Sequence, residues 1–505
     1  MISIKKNLVF NYIGSFGVTI IQLVSVPLYL KYLGSSAYGI VGFYATLQAV
    51  FSIFDLGLSS TFNREMARLS AQEKDKNYIH NLLRTFEVVY WLIALFLGLL
   101  TIFASSFIAE RWINNNFLAP LVITKCVMLM GFLFIFRWPI ALYSGGLIGL
   151  QRQVEYNIIN TIIETLKAFG AILVLHFISN DIVSFFIWQI LITILSVAAF
   201  AIVLRKLLPK KEGKPQFKKY ILNDVSRFAL GMTGISLVSL ILTQADKIIL
   251  IKFIPISLFG FYTIASLVAS SLSKLSSPIG QTFYPRLVQL VEIGDDLNLK
   301  KLYHEACQLI SVFIIPSSLT ICFFSKEILF LWTQNKEVSE NAGPILSVLI
   351  IGSLANSLSS VPYLLQIAYG WTKLTLIQNI ILITILVPLL LVIVPKYGSF
   401  GAAFFWMIIN LGILFIGVNV MFRKILTSER KEWLFSDVIK PVVLILPIIS
   451  IFKFSLQFFV GTSQIFIFSF IVVVFLVSFL AAILCFNYTR ILISNLLKKI
   501  IYGAE

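Results

Sequence analysis

Apolar residues in this chain come in runs close to twenty long, separated by short polar and basic stretches. The runs fall, within a few residues, at 8–30, 39–63, 86–108, 119–143, 156–178, 182–204, 227–250, 259–282, 304–325, 343–369, 374–394, 400–422, 438–458 and 464–486. About twenty residues of helix cross the hydrocarbon core of a bilayer, so the pattern predicts fourteen membrane-spanning helices. Polar positions inside the runs recur at helical spacing. The first run carries Asn11, Ser15, Thr19, Gln22 and Ser25, and the second Gln48, Ser52, Asp55, Ser59 and Asn63. The eighth carries Ser266, Ser270, Ser273, Ser277 and Gln281 with Lys274 beside them, and the tenth Ser353, Ser357 and Ser360 with Asn356 adjacent. Steps of three and four keep residues on one helical face. Small polar residues also let helices pack closely, but four such stripes favour a shared hydrated cavity.

Composition agrees with the pattern. Of 505 residues, 58 % are apolar and 12 % charged, the latter roughly half the share typical of soluble domains. A soluble globular protein, a disordered chain and a coiled coil are all excluded. The net charge of +17 would suggest nucleic acid in a soluble protein, but here the charges cluster at the ends of runs. An even number of crossings puts both termini on one side. The loops of that side hold 28 of the 40 basic residues, among them Lys5, Arg64, Arg84, Arg152, Arg205, Lys214, Arg286, Lys373, Arg430 and Lys498. The opposite loops hold six: Lys31, Arg111, Lys252, Lys326, Lys336 and Lys396. The positive-inside rule then makes both termini cytoplasmic and accounts for most of the charge without nucleic acid.

Other signals are negative. Cys126, Cys307, Cys322 and Cys485 lie in apolar runs without paired spacing and read as buried small hydrophobes. His80, His176 and His304 form no ligand motif, so no metal site is indicated, and no phosphate-binding loop is present. The first apolar run, behind Lys5 and Lys6, is too long for a signal-peptide core and reads as a retained helix.

Two basic linkers, 205–227 and 423–440, divide the chain into six, six and two helices: residues 1–205, a linker 206–226, residues 227–424, and residues 425–505. A shift of 221 residues places Lys31 on Lys252, Ser36 on Ser257, Gly39 on Gly260, Thr61-Phe62 on Thr282-Phe283, Gly149 on Gly370 and Arg152 on Lys373. Six-helix units repeated after an even number of crossings share one orientation. The expectation is two parallel six-helix lobes with substrate bound near the midplane between them, and a C-terminal helix pair packed outside.

Charges within the runs are expensive in lipid, about 2.5–3.5 kcal/mol at a helix centre on insertion scales. They are Lys125, Arg137, Lys167, Lys247, Lys274 and Lys453 against Asp55, Glu164 and Asp246. Glu164 and Lys167, three apart, can pair on one face. Lys453, near a helix end, is expected to snorkel. The basic excess suits an anionic solute. Arg137, Lys167, Lys274, Lys247 and Lys125 are candidate contacts, with Arg64 at the cytoplasmic mouth and Lys31 at the outer end. Asp55, Asp246 and Glu164 are candidates for orienting these cations or for coupling to H+ or Na+. Gly14, Gly17 and Pro27 in the first run, and Gly231 and Gly234 in the seventh, mark sites where the leading helices can bend.

The opening run, with Asn11, Pro27-Leu28-Tyr29-Leu30-Lys31-Tyr32-Leu33-Gly34, Tyr38-Gly39 and Asp55-Leu56-Gly57-Leu58, resembles polysaccharide flippases of the Wzx type. So do Gly149-Leu150-Gln151-Arg152, Asp246-Lys247-Ile248-Ile249-Leu250 and Tyr284-Pro285-Arg286. These flippases belong to the multidrug/oligosaccharidyl-lipid/polysaccharide exporter superfamily. The resemblance covers essentially the whole chain. It implies an all-α polytopic membrane protein with V-shaped lobes, not an enzyme. It further implies that undecaprenyl-diphosphate-linked oligosaccharide (an O-antigen or capsule repeat unit) is moved from the cytoplasmic to the outer leaflet of a bacterial plasma membrane by alternating access. Membrane lipids and polysaccharide polymerase machinery are the implied partners, and no resident cofactor is implied. The arginine-rich cavities of such flippases are matched only in part, since lysine dominates here. A lipid II flippase and a cation-coupled multidrug exporter are the alternatives within the superfamily, and a purely structural membrane scaffold is the alternative outside it.

Overall fold

A computed structural model of the chain describes residues 4–55, 57–71, 76–114, 118–209, 214–459, 463–486 and 488–490. These residues are almost entirely helical, with no strand among them. The principal helices are α1 (Ile4–Phe51), α2 (Leu58–Ala71), α3 (Lys76–Phe103), α4 (Pro120–Gly149), α5 (Gln153–Phe177), α6 (Ile182–Leu207), α7 (Lys219–Phe253) and α8 (Ile256–Ile293). They continue as α9 (Asp296–Phe323), α10 (Ser325–Thr333), α11 (Lys336–Leu358), α12 (Ser360–Ala368), α13 (Thr372–Gly412), α14 (Lys440–Leu456) and α15 (Gln464–Cys485). Helices dominate because hydrocarbon offers no partner to an open peptide group, and a helix satisfies its own.

Eleven segments among the described residues are long and apolar enough to cross a membrane. Two of them, Phe16–Asp55 and Lys373–Phe422, are far longer than one crossing needs. Each contains a backbone break at a glycine. Gly34 has φ 76° and ψ 171°, and Gly398 has φ 56° and ψ −143°. Only a residue without Cβ enters such regions cheaply. The expected bend sites in the first run are not where α1 turns: Pro27 sits within the helix and the break falls at Gly34. The side chains around Gly231 and Gly234 lie outside the described residues.

The chain forms two compact units, residues 1–260 and 261–505. Within the first of these units α7 packs on α1, α2 and α3. Within the first unit, α4 lies against α3 and α6, and α5 against α1 and α6. Phe62, Phe86, Leu147, Phe200 and Leu204 fill the space between these helices, while Leu92, Phe96, Leu99 and Phe103 stand exposed along α3 where lipid would meet them. Close approach depends on small residues, as expected without a hydrophobic driving force. A Cβ on Gly98 would lie 2.8 Å from the Gly131 carbonyl oxygen, and one on Gly131 would lie 2.7 Å from that of Gly98.

A second reciprocal crossing joins α1 to the first turn of α8. A Cβ on Gly260 would lie 2.5 Å from the Ser35 carbonyl oxygen, and one on Gly39 would run into that of Ile256. The 221-residue shift maps Ser35 onto Ile256 and Gly39 onto Gly260. The contact therefore has the form of a two-fold interface, in which equivalent residues exchange places. At the other end of the unit, the segment after α6 is pinned to the start of α3. Asn81 Oδ1 accepts from the Gln216 amide at 2.7 Å, Thr85 Oγ1 from the Lys218 amide at 3.0 Å, and His80 Nε2 meets the Pro209 carbonyl at 2.8 Å. Beside them the buried Glu87 carboxylate accepts from Arg205 at 2.6 Å and from Tyr143 at 3.1 Å.

In the second unit, α11 packs on α9, α10 and α13, and α14 and α15 pack on each other and on α9. The joint between α9 and the turn leading into α14 is polar. His304 Nδ1 is 2.5 Å from an oxygen of Asp437, which is fully buried. The other Asp437 oxygen accepts from Gln308 at 3.1 Å, and its carbonyl accepts from Ser311 at 2.6 Å. His304 Nε2 faces Glu429 at 3.3 Å, and Lys300 reaches the same carboxylate at 2.9 Å.

Two measurements check this architecture. Topology reporters fused at Lys214 and after Glu505 should both report cytoplasm, and one at Lys252 the opposite side; a reversed signal at any of them would break the fourteen-crossing topology expected from the sequence. His304→Ala should leave the Asp437 charge buried without its partner and cost about 3 kcal/mol. A double-mutant cycle with Asp437→Asn, read by thermal unfolding in detergent, should show the two losses strongly non-additive.

Candidate functional site

Three intramembrane charges of the first unit, Arg137, Lys167 and Glu164, gather where α4 and α5 approach the second half of α1. Arg137, on α4 two residues before the buried Pro139, is half-buried. Its guanidinium Nε and Nη2 donate to the Gln48 side-chain oxygen on α1, and the Tyr44 hydroxyl one turn away lies beside it. Both partners are neutral, and no carboxylate forms an ion pair with Arg137 among the described residues. Lys167, only 8 % exposed on α5, is different: Glu164 takes its ammonium at 2.9 Å. Arg137 lies within electrostatic reach of Lys167. The cluster thus has two cations and one carboxylate, and its spare positive charge is on the planar guanidinium, which can hold two anion oxygens at once.

Asp55 does something other than orient a cation. The expected polar stripe Gln48–Ser52–Asp55–Ser59–Asn63 presumed an unbroken helix. Instead, Ser52–Asp55 forms a 3₁₀ turn, Gly57 has φ 69°, and α2 starts anew at Leu58. Asp55 Oδ2 accepts from the Ser59 amide at 3.3 Å and its hydroxyl at 2.7 Å, and Oδ1 accepts from Tyr90 at 2.7 Å. A carboxylate at a helix start is favoured by the open amides there. Its hydrogen-bond partners among the described residues are thus neutral.

The remaining candidates are dispersed. Lys125 is exposed on α4. Lys247, on α7 beside the half-buried Asp246, donates to the Thr243 carbonyl at 3.2 Å and to Gln244 at 3.5 Å. Lys274 is exposed on α8. Lys31 lies 5.9 Å from the Tyr32 ring, and its repeat partner Lys252 5.3 Å from that of Trp112. The Arg64 side chain lies outside the described residues. Lys453 does not snorkel as expected. Its ammonium is 2.6 Å from Glu327 and 4.9 Å from the Phe324 ring. Glu327 is 126 residues away in sequence, so no local spacing could have disclosed it.

Two features were missed by sequence reasoning. His304, Glu429 and Glu432 bring one potential ligand atom each within 4.8 Å of one another, although no ligand motif marks them. Asp437 on His304 Nδ1 is the kind of partner that fixes a ligating imidazole, but Lys300 and His304 already occupy Glu429 as an ion-pair clamp. The other is a group of amide side chains on α11, α12 and α13, including Gln366, Gln378 and Asn379, that line one pocket. Their spacing crosses helix boundaries and so produces no single stripe.

Known proteins resemble this chain in sequence and in fold. A family model described as "Polysaccharide biosynthesis protein" matches residues 4–291, more than half the chain, and the MatE model matches residues 289–393. A Shigella flexneri protein named "Putative O-antigen transporter" is 24 % identical over 443 residues, covering 86 % of this chain and 98 % of that protein. Among solved structures, the fold is similar to "Lipid II flippase MurJ, inward closed conformation", with a TM-score of 0.69 at 16 % identity, covering 93 % of this chain and 98 % of that one. It is also similar to the inward-facing conformation of a multidrug resistance MATE family transporter, with a TM-score of 0.63 at 13 % identity over 81 % and 96 %. The chain belongs to the polysaccharide biosynthesis protein family, multi-pass membrane transporters of the multidrug/oligosaccharidyl-lipid/polysaccharide exporter superfamily rather than enzymes.

Proposed function

We propose that this protein flips undecaprenyl-diphosphate-linked oligosaccharide, an O-antigen or capsule repeat unit, from the cytoplasmic to the outer leaflet of a bacterial plasma membrane by alternating access. The observation that carries the reading is Arg137: a guanidinium held within a membrane-spanning helix by the neutral Gln48 and Tyr44, while Lys167 beside it has a carboxylate partner. An uncompensated intramembrane cation is costly and is retained where an anion needs it. A diphosphate offers that anion, and a bidentate guanidinium replaces part of its hydration. The family and the named Shigella relative support the glycan as the cargo.

Energetics support export without a nucleotide. An anion leaving a negative interior gains about 2.3 kcal/mol per charge per 100 mV, so a diphosphate is driven outward by the membrane potential. The polyprenyl tail remains in lipid while the head group crosses. A coupling cation would add to this drive, with Asp246 and Glu164 as the remaining acidic candidates inside the spans.

Deleting the gene should accumulate a lipid-linked oligosaccharide on the cytoplasmic leaflet, and its mass and sugar analysis would name the glycan; accumulation of lipid II instead would move the assignment to the peptidoglycan precursor. Arg137→Ala should lose about 2 kcal/mol of head-group binding, roughly thirtyfold in affinity, and abolish surface glycan at normal protein level. Arg137→Lys should retain part of both, because it keeps the charge and loses the fork. Lys274→Ala tests the exposed lysine of α8 in the same assay. Normal export by well-expressed Arg137→Ala and Lys274→Ala variants would show that the diphosphate is not held by these cations.

A further inference from the structure

The second unit contains a polar pocket of about 300 Å³ that the charge argument leaves unused. It is built where three helical irregularities meet. The α11–α12 junction breaks at Ser359, α13 begins at Thr372 after the turn at Gly370, and the chain beyond α13 passes through a π-helical turn at Ile413–Gly417. Such turns carry a cost in backbone geometry and frequently sit at functional sites. Ser359, Gly417 and Ile413 all line the pocket.

Its chemistry is specific. Asn356, Gln366, Thr375, Gln378 and Asn379 line it, and none of its lining side chains is charged. Three of the amides have their NH2 groups committed to protein. Asn356 Nδ2 donates to Asn410 at 3.0 Å. Gln366 Nε2 donates to the Trp371 carbonyl at 3.0 Å and to Thr375 at 2.6 Å. Gln378 Nε2 donates to the Gly417 carbonyl at 3.3 Å. Gln366 thereby uses both of its N–H donors, and Asn356 and Gln378 use one of two, so the three amides offer their carbonyl oxygens and few donors. An acceptor-rich site without a cation repels phosphate and welcomes hydroxyl donors. A single metal ion would leave most of 300 Å³ empty, whereas a pyranose ring with its hydroxyls is of this order of size. Tyr363, 46 % exposed at the pocket, supplies an aromatic face.

The repeat sharpens the point. The turns that follow α4 and α12 share one hydrogen-bond pattern at a shift of 219 residues, Leu150, Gln151 and Arg152 against Tyr369, Gly370 and Trp371, which places Leu147, Tyr156, Ile159 and Asn160 where the second unit has Gln366, Thr375, Gln378 and Asn379. Arg137 in turn falls on Asn356. At that position the first unit carries a charge and the second a neutral amide.

We infer that this pocket is a sugar subsite, which holds a hydroxyl-rich residue of the cargo through the amide carbonyls of Asn356, Gln366 and Gln378 and does not bind the phosphates. The inference rests on the lipid-linked glycan reading above. The test uses the full chain in nanodiscs and two probes, undecaprenyl diphosphate and undecaprenyl-diphosphate-linked N-acetylglucosamine. The sugar-bearing probe should bind more tightly to the unaltered protein. Gln378→Leu and Asn379→Leu should weaken it at least tenfold and leave the bare diphosphate unchanged. Thr375→Val, a nearly isosteric change, guards against misfolding and should act in the same direction in a protein with unaltered thermal unfolding. Equal binding of the two probes, or variants that bind the sugar-bearing probe normally, would overturn the subsite. Equal loss of both probes would overturn it too, by placing the phosphates in the pocket. Failure of the unaltered protein to bind either probe would instead overturn the flippase reading itself.

Discussion

A charge or an open hydrogen-bonding group in hydrocarbon costs several kcal/mol unless something within the protein answers it. Where the polar side chains of this chain are found follows from that constraint. Lys167 is answered by Glu164, Lys453 by Glu327, Glu87 by Arg205, and His304 by Asp437. The last three pairs join helices far apart in sequence, so each serves as a tether as well as a neutralisation. Arg137 departs from the rule, because Gln48 and Tyr44 satisfy its hydrogen bonds and not its charge. Lys247, on the Thr243 carbonyl and Gln244, and Asp55, on Ser59 and Tyr90, are likewise met by neutral groups.

The same constraint governs where the helices bend. Backbone that leaves helical geometry exposes peptide groups, so breaks are confined to positions where a side chain or a loop can meet them. The 3₁₀ turn before α2 ends on Asp55, whose carboxylate immediately takes the Ser59 amide. The break at Ser359 returns its own hydroxyl to the Ala355 carbonyl at 2.8 Å. Around the π-helical turn, the Gly417 carbonyl takes Gln378. The two sharpest bends, at Gly34 and Gly398, fall between expected crossings, where solvent or head groups can replace the lost bonds.

Much of this was legible in the sequence because the membrane simplifies the code. Runs of apolar residues mark spans, and basic residues mark loop ends, without reference to tertiary contact. The Glu164–Lys167 pair was legible too, since both partners lie on one turn of one helix. What was not legible depended on long-range placement or on backbone departures. The stripe through Asp55 looked continuous only while the helix was assumed unbroken. Lys453 looked like a snorkelling end because Glu327 is distant in sequence, and His304 looked isolated because Asp437 and Glu429 arrive from beyond the twelfth run. The amides Gln366, Gln378 and Asn379 sit on α12 and α13, so their convergence belongs to the fold and not to any one helical face.

Internal duplication supplies the final step. A repeat begins with two copies of one surface, and the reciprocal approach of Gly39 and Gly260 retains that symmetry, because a Cβ on either would strike the other helix. Such a crossing resists divergence on both sides at once. Side chains directed at cargo are under no such mutual constraint, since a cargo with chemically distinct parts rewards their divergence. A lipid-linked glycan is of that kind, with charge concentrated at its diphosphate and hydroxyls spread over its sugars. The turns after α4 and α12 match at a shift of 219 residues, which sets the guanidinium of Arg137 against the neutral amide of Asn356, as duplication followed by division of labour would leave them.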